Sequence, residues 1–363
     1  MLPPGHGTRA KLRAAPQCTP VSAPIVAIDA RDAFAPELRG WGRYELELVR
    51  ALRAGAASDL ELLVLERGGP GPELLFEQVR LPWTLLRARA AVVHALNCWL
   101  PLVRPCPGVV TIQDLAFEAW PDDFGRRTGM KYRMITRRAA RSAERIICPS
   151  EFTRDDICAR YGVNPAKVRV IPLAPALAPG ELEPPAGPYL LGVGDLRAKK
   201  NFGALVRAFV ALRRAQGIPH HLVLSGVDSG SGPELRRLAG EAPVELTGYV
   251  SDARLDALIR GAEVLVHPSL YEGFGLVLLE AMARGTPVVA ARATALPETG
   301  GDAAAYFDAR GDGGAVELQS VLAPLLASPQ ERDDMIRRGR ERAALFSWQR
   351  TALETAAVYR ELS

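Results

Sequence analysis

Residues 264–290 read VLVHPSLYEGFGLVLLEAMARGTPVVA and parse as strand, loop, helix and strand. The run from Val264 to His267 is short and β-branched, and Pro268 and Ser269 end it by withdrawing a donor and inviting a turn. In the loop over 270–275, Gly273 and Gly275 permit positive φ and let the backbone approach a ligand more closely than a Cβ would allow. The helix opens near Leu276 and carries Leu276, Leu279 and Met282 at helical spacing. Gly285 closes it and Pro287 blocks continuation.

Free amides and the positive end of the dipole make this helix start a natural anion site, which a phosphate-bearing ligand suits. Glu272 in the loop and Glu280 about a turn into the helix bracket it with carboxylates. Acids beside a phosphate are unfavourable unless they accept hydrogen bonds, and the hydroxyls of a ribose or hexose are natural donors. An ordinary crossover would leave both glutamates as solvated charges. Pro-Ser, Gly-Phe-Gly, Glu-Ala-Met and Gly-Thr-Pro-Val-Val in register around them weigh against that.

The arrangement resembles the Glu-x7-Glu motif of retaining glycosyltransferases with the GT-B fold, in particular family 4, the glycosyl transferases group 1. The resemblance implies an α/β chain of two Rossmann-like parallel-sheet domains facing across a cleft. It also implies that Glu272 contacts the donor sugar, that Glu280 holds the ribose diol, and that the backbone of Gly273, Phe274, Gly275 and Leu276 meets the pyrophosphate.

At 363 residues the chain is long enough for about two domains. With 48% hydrophobic and 24% charged residues it has the composition of a soluble globular protein. The net charge of +4 is too mild to argue for nucleic acid. Seven basic residues do gather over 126–141 around Met130, Met134 and Ile135, which describes a solvated helix face or a contact with anionic lipid. Five cysteines without a Cys-x-x-Cys clamp or an accompanying His cluster suggest a reducing, cytoplasmic setting and no metal site. No apolar run approaches the ~18 residues needed to span a bilayer. Residues 1–23, rich in Pro, Ala and basic groups, read as a disordered extension.

Ordered structure is expected from 24. A strand over 25–29, then Gly40-Trp-Gly42-Arg-Tyr44 as a glycine loop, then a helix to about 54 would open a Rossmann-like unit. The family resemblance implies that Gly40 and Gly42 lie over the cleft. Further strands over 60–65, 91–96, 109–113, 145–148 and 168–171 alternate with helical stretches, arguing for a parallel sheet covered on both faces. His94, Asn97, Gln113 and Asp114 would sit at or near carboxyl ends of strands, where such sheets bind ligands. Relatives commonly carry His-Asp where this chain has Gln113-Asp114. Glutamine donates and accepts hydrogen bonds but holds no proton charge, so no base operates there.

Five prolines over 173–188 mark a semi-stiff linker between a first domain, 24–172, and a second, 189–345, with 346–363 as a helix crossing back. In the second half, Gly192-Val-Gly-Asp-Leu-Arg197-Ala-Lys199-Lys200-Asn201 resembles the family's Gly-x-Leu-x-x-Arg-Lys-Asn segment. The likeness implies that Lys200 neutralises the donor diphosphate, with Lys199 or Arg197 as a second cation. Lysines at a helix start are otherwise disfavoured by the dipole. Tyr249 and Val250 end a strand, and the resemblance implies that their backbone reads the nucleobase, although a turn with Ser251 as a helix N-cap is equally compatible. Ala295-Leu-Pro-Glu298 resembles another family loop.

The resemblance implies a metal-independent, retaining hexosyltransferase without cofactor. It would use GDP-mannose or a UDP-sugar and a saccharide or lipid-linked acceptor in bacterial surface polysaccharide synthesis, in the cytoplasm or on the inner face of the membrane. A sugar-nucleotide epimerase of the same fold and a catalytically silent binding homologue fit the same residues.

Overall fold

Short, mainly apolar strands alternate with helices twice, and each series forms one sheet. The computed structural model describes residues 23–34, 40–68, 71–311 and 313–363, so the extension expected over 1–23 lies, but for Ala23, outside the described residues. In the first lobe the strands are β1 (Ile25–Asp29), β2 (Glu61–Leu65), β3 (Val92–Ala95), β4 (Gly108–Thr111), β5 (Arg145–Cys148) and β6 (Val168–Val170). They lie parallel in the order β2-β1-β3-β4-β5-β6. Between them run α1 (Gly40–Ala51), α2 (Glu73–Leu75), α3 (Leu81–Ala88), α4 (Ala116–Ala119), α5 (Arg126–Ser142) and α6 (Glu151–Tyr161). Both central strands, β3 and β4, are buried at every position, which is why helices cover both faces.

The second lobe carries β7 (Tyr189–Val193), β8 (His221–Ser225), β9 (Val244–Gly248), β10 (Val264–His267), β11 (Val288–Ala291) and β12 (Ala305–Phe307), parallel in the order β12-β11-β10-β7-β8-β9. Its helices are α7 (Phe202–Gln216), α8 (Gly232–Ala239), α9 (Asp252–Gly261), α10 (Leu276–Arg284), α11 (Leu296–Gly300), α12 (Gly314–Ala327) and α13 (Pro329–Ala343). Over 171–188 the chain forms neither strand nor helix, and α14 (Trp348–Arg360) follows the second lobe.

α14 packs on the first lobe. Tyr359 is fully buried there, and Arg360 reaches Asp59 at 2.6 Å. The core of the second lobe continues through Leu173, Leu177 and α14 into the α1 and β1 face of the first. No described helix is long and apolar enough to cross a membrane.

One local reading changes and two elements were not legible in the sequence. Gly40 and Gly42 occupy the first turn of α1 rather than a loop ahead of it, and Gly42 is buried. β12 is three residues long, too short to show a period, and α12 contains Pro324, which masks a helical pattern.

Candidate active site

In the second sheet the chain order reverses between β7 and β10, and a crevice opens beyond the carboxyl ends of such a pair. The loops after β7 and β10 therefore meet. The first supplies Lys199 and Lys200 and the second supplies 268–275. Lys200 Nζ lies 2.5 Å from Glu272 Oε1 with both side chains largely buried. Room for the lysine comes from Gly194, whose φ is +141° and where a Cβ would come 3.0 Å from Lys200 Cε. Burial alone would raise the Glu272 carboxyl, yet Lys200, Lys199 and His267 hold it well below the usual carboxylate range. Burial likewise opposes charge on Lys199, but Glu272 and Asp114 overcome it and raise its pKa.

The start of α10 is Gly275, left-handed at φ +91°, and no side chain caps it. Gly273 is required for a different reason. A Cβ there would lie 1.9 Å from the Gln113 carbonyl oxygen, so the loop touches the first lobe with bare backbone. Phe274 turns its ring inward against Phe346, with centroids 5.9 Å apart, leaving only its backbone for a ligand. Leu276 packs against the core at the helix start.

Glu280 is tied into the linker. One turn into α10 its carboxylate projects beneath the linker, where Oε1 accepts from the amides of Ala176 (2.7 Å) and Leu177 (2.9 Å) and Oε2 pairs with Arg284 (2.8 Å). Arg284 continues to Asp256 at 2.7 Å, and Asp256 accepts from Arg260 and from the Gly180 amide. The acid expected to grip the ribose thus also fastens the linker.

Across the crevice stand Gln113 and Asp114, just past β4. Asp114 Oδ2 is 3.9 Å from Lys199 Nζ, and Gln113 Nε2 is buried without a hydrogen-bond partner among the described residues. The lobes touch around this point. Ser150 and Thr153 donate to the Gly273 carbonyl at 2.6 and 3.0 Å, Tyr271 donates to Asp156 at 2.7 Å, and the Asp123 carboxylate receives the Lys199 amide at 3.1 Å. Glu298, in the Leu-Pro-Glu segment, accepts the Glu151 and Phe152 amides at the start of α6.

His94 is not a cleft residue. It is fully buried in β3 with Nδ1 2.7 Å from Tyr359 Oη and Nε2 2.8 Å from Thr111 Oγ1, and burial lowers its pKa to about 3. Its place at the strand end is covered by α14. Tyr249 is about half exposed and Val250 half-buried just beyond β9, while the Ser251 hydroxyl caps α9 by accepting the Arg254 amide.

The sequence reading passed over His267 and Thr294. His267 Nε2 is 3.2 Å from Glu272 Oε1, and its position at a strand end was the available signal. Thr294 accepts the Glu272 amide at 3.0 Å and has a φ of +50°, which no sequence pattern announces.

The family model for glycosyl transferases group 1 matches residues 177–342, and that for glycosyltransferase family 4 matches residues 42–174. The chain is 28% identical to O-antigen chain mannosyltransferase B of Escherichia coli, over 92% of this chain and 99% of the other. It is 34% identical to the MMP alpha-(1->4)-mannosyltransferase of Mycolicibacterium hassiacum, over 76% of this chain, and spans 62% of that protein's length. In fold it is similar to Alr3699/HepE of Anabaena crystallised with UDP-glucose, with a TM-score of 0.69 and 17% identity over 93% of this chain and 100% of that one.

Proposed function

Because the chain belongs to glycosyltransferase family 4, with GT-B architecture, we propose that it is a retaining, metal-independent hexosyltransferase moving mannose from a nucleoside diphosphate to a saccharide or lipid-linked acceptor in surface polysaccharide synthesis. The observation that carries the reading is the Lys200–Glu272 pair at the switch point of the second sheet, facing Gln113 and Asp114. Mannose is favoured because both relatives described above are named mannosyltransferases. GDP-mannose is the first donor to try and a UDP-sugar the second.

In this reading the bond from the anomeric carbon to the phosphate oxygen breaks, and positive charge grows on the sugar as negative charge gathers on the diphosphate. Lys200, Lys199 and the amides at the start of α10 stabilise the leaving group, so the protein's own cations do the work a metal would otherwise do. The acceptor oxygen bonds to the anomeric carbon on the face the diphosphate leaves, and its proton passes to the departing phosphate oxygen. Gln113 offers the sugar a hydrogen bond from its unpartnered Nε2 and takes no proton. Glu280 takes the ribose diol by giving up linker amides, which couples nucleotide binding to the linker. Tyr249 and Val250 flank the nucleobase.

A lipid-linked acceptor is supported by α5, which exposes Met130 and Met134 among the basic residues over 126–141, and by α3, which exposes Trp83 and Leu86. The enzyme would then work at the inner face of the membrane, and cosedimentation with anionic but not neutral vesicles tests this. For the reaction itself, incubation with GDP-mannose and acceptor should give an α-linked product. Glu272→Ala should abolish transfer, and transfer unchanged in that variant would overturn the assignment.

A further inference from the structure

His267 ends β10 and is 1% exposed, an expensive place for an imidazole unless it has a task. Its Nε2 faces Glu272 Oε1 at 3.2 Å, whereas its Nδ1 is buried without a partner among the described residues. A lone pair on Nε2 would repel an ionised carboxylate, so the proton belongs on Nε2 and the ring donates to Glu272. The same Oε1 also takes Lys200 Nζ at 2.5 Å.

A second feature fixes the same glutamate from its backbone side. Thr294 is β-branched and nevertheless sits at φ +50°, a conformation that costs energy and persists only where its surroundings impose it. There its hydroxyl accepts the Glu272 amide at 3.0 Å, and the Ala295 amide donates to the Glu272 carbonyl at 3.4 Å. The backbone of Glu272 is therefore anchored whatever its side chain does. What needs holding is the carboxylate, and its principal partner is the lysine that the donor requires.

A diphosphate carries more negative charge than one carboxylate and competes for Lys200. Once it does, Oε1 keeps a single neutral donor. We infer that His267 is the positioning residue for Glu272: its Nε2–H holds Oε1 in place as the diphosphate draws Lys200 away, leaving Oε2 turned to a hydroxyl of the donor sugar. The inference rests on the reading of Glu272 as the sugar contact. Lys199 remains nearby as a diffuse positive charge shared with Asp114, and it supplies Glu272 with no hydrogen bond.

The charged groups facing this pair are Lys200 and Lys199 from the turn after β7 and Asp114 from the first lobe. With Lys200 engaged by phosphate, His267 becomes a main support of Glu272 ionisation, so removing it lets the carboxyl protonate at higher pH.

The test compares H267L with H267Q, whose amide retains a donor, using the full chain with GDP-mannose or whichever nucleotide sugar supports transfer. H267L should lower kcat about 10- to 100-fold, the worth of one hydrogen bond to a charged group. It should leave nucleoside diphosphate affinity by calorimetry within about twofold and move the acid limb of the kcat–pH profile upward, while H267Q recovers most of kcat. If H267L does not fold, H267N, whose shorter amide falls short of Oε1, replaces it. An unchanged kcat, or a loss that leaves the acid limb in place and follows diphosphate affinity, overturns the inference. E272A run alongside separates the failures. If E272A is inactive and H267L active, positioning alone is wrong; if E272A stays active, the sugar-contact reading falls and positioning falls with it.

Discussion

Lys200 and Glu272 neutralise each other at 2.5 Å, an arrangement that keeps two buried charges tolerable until a ligand separates them. Lys200→Ala is expected to cut kcat by roughly two to three orders of magnitude, about 3 to 4 kcal/mol of leaving-group stabilisation, and steady-state kinetics would read it. A second residue-scale prediction concerns His94. The folded protein keeps it neutral down to about pH 3, whereas free histidine titrates near 6.5, so over that window the unfolded chain binds protons the fold refuses. The His94 contribution is therefore complete above pH 6.5 and lost as pH falls toward 3, amounting to about 2 kcal/mol between pH 6.5 and 5. Urea titrations of wild type and His94→Gln at several pH values should show that part of the slope disappearing in the variant. The contrast between these residues explains what the sequence could reveal. Lys200, Gly273, Gly275 and Glu272 sit in short segments whose spacing encodes local geometry. His94 meets its decisive partner, Tyr359, 265 residues away, and no local pattern reports that distance.

At the scale of elements, α10 does two jobs, offering its start to the crevice and gripping the linker with its second turn. Arg284 connects Glu280, Asp256 and the Leu177 carbonyl with its own side chain only 8% exposed. Arg284→Ala leaves the buried Glu280 without its cation, while Asp256 keeps Arg260, and is expected to cost about 3 kcal/mol, measurable by chemical denaturation. Gly273→Ala places a methyl group against the Gln113 carbonyl backbone, which no rotamer change relieves. It should weaken the bonds from Ser150 and Thr153 and lower transfer more than it lowers stability, so kinetics and melting temperature together check it. Strand and helix alternation was legible because buried parallel strands are mainly apolar. The start of α1 was not, since two glycines within three residues at 40–42 look like a loop, although both lie in the first helical turn and Gly42 is buried there.

For the whole molecule, the two lobes meet through the loop over 270–275, the Arg43–Asp252 pair at 2.5 Å and the Glu298 contacts, as well as through the linker and α14. Nucleoside diphosphate binding should raise the melting temperature, since a ligand at 100 times its dissociation constant contributes about 2.7 kcal/mol. A panel of GDP, UDP, ADP and dTDP would rank the bases by the size of that rise.

α14 also dictates an order of events during synthesis. The first lobe leaves the ribosome early, yet His94 and the face of α1 receive Tyr359 and Trp348 from the end of the chain. At about 5 to 20 residues per second that cap emerges about 13 to 50 s after His94. Through that interval the nascent half-protein has an oily side still waiting for its cover. Its maturation is thus timed by translation of the segment farthest from it in sequence.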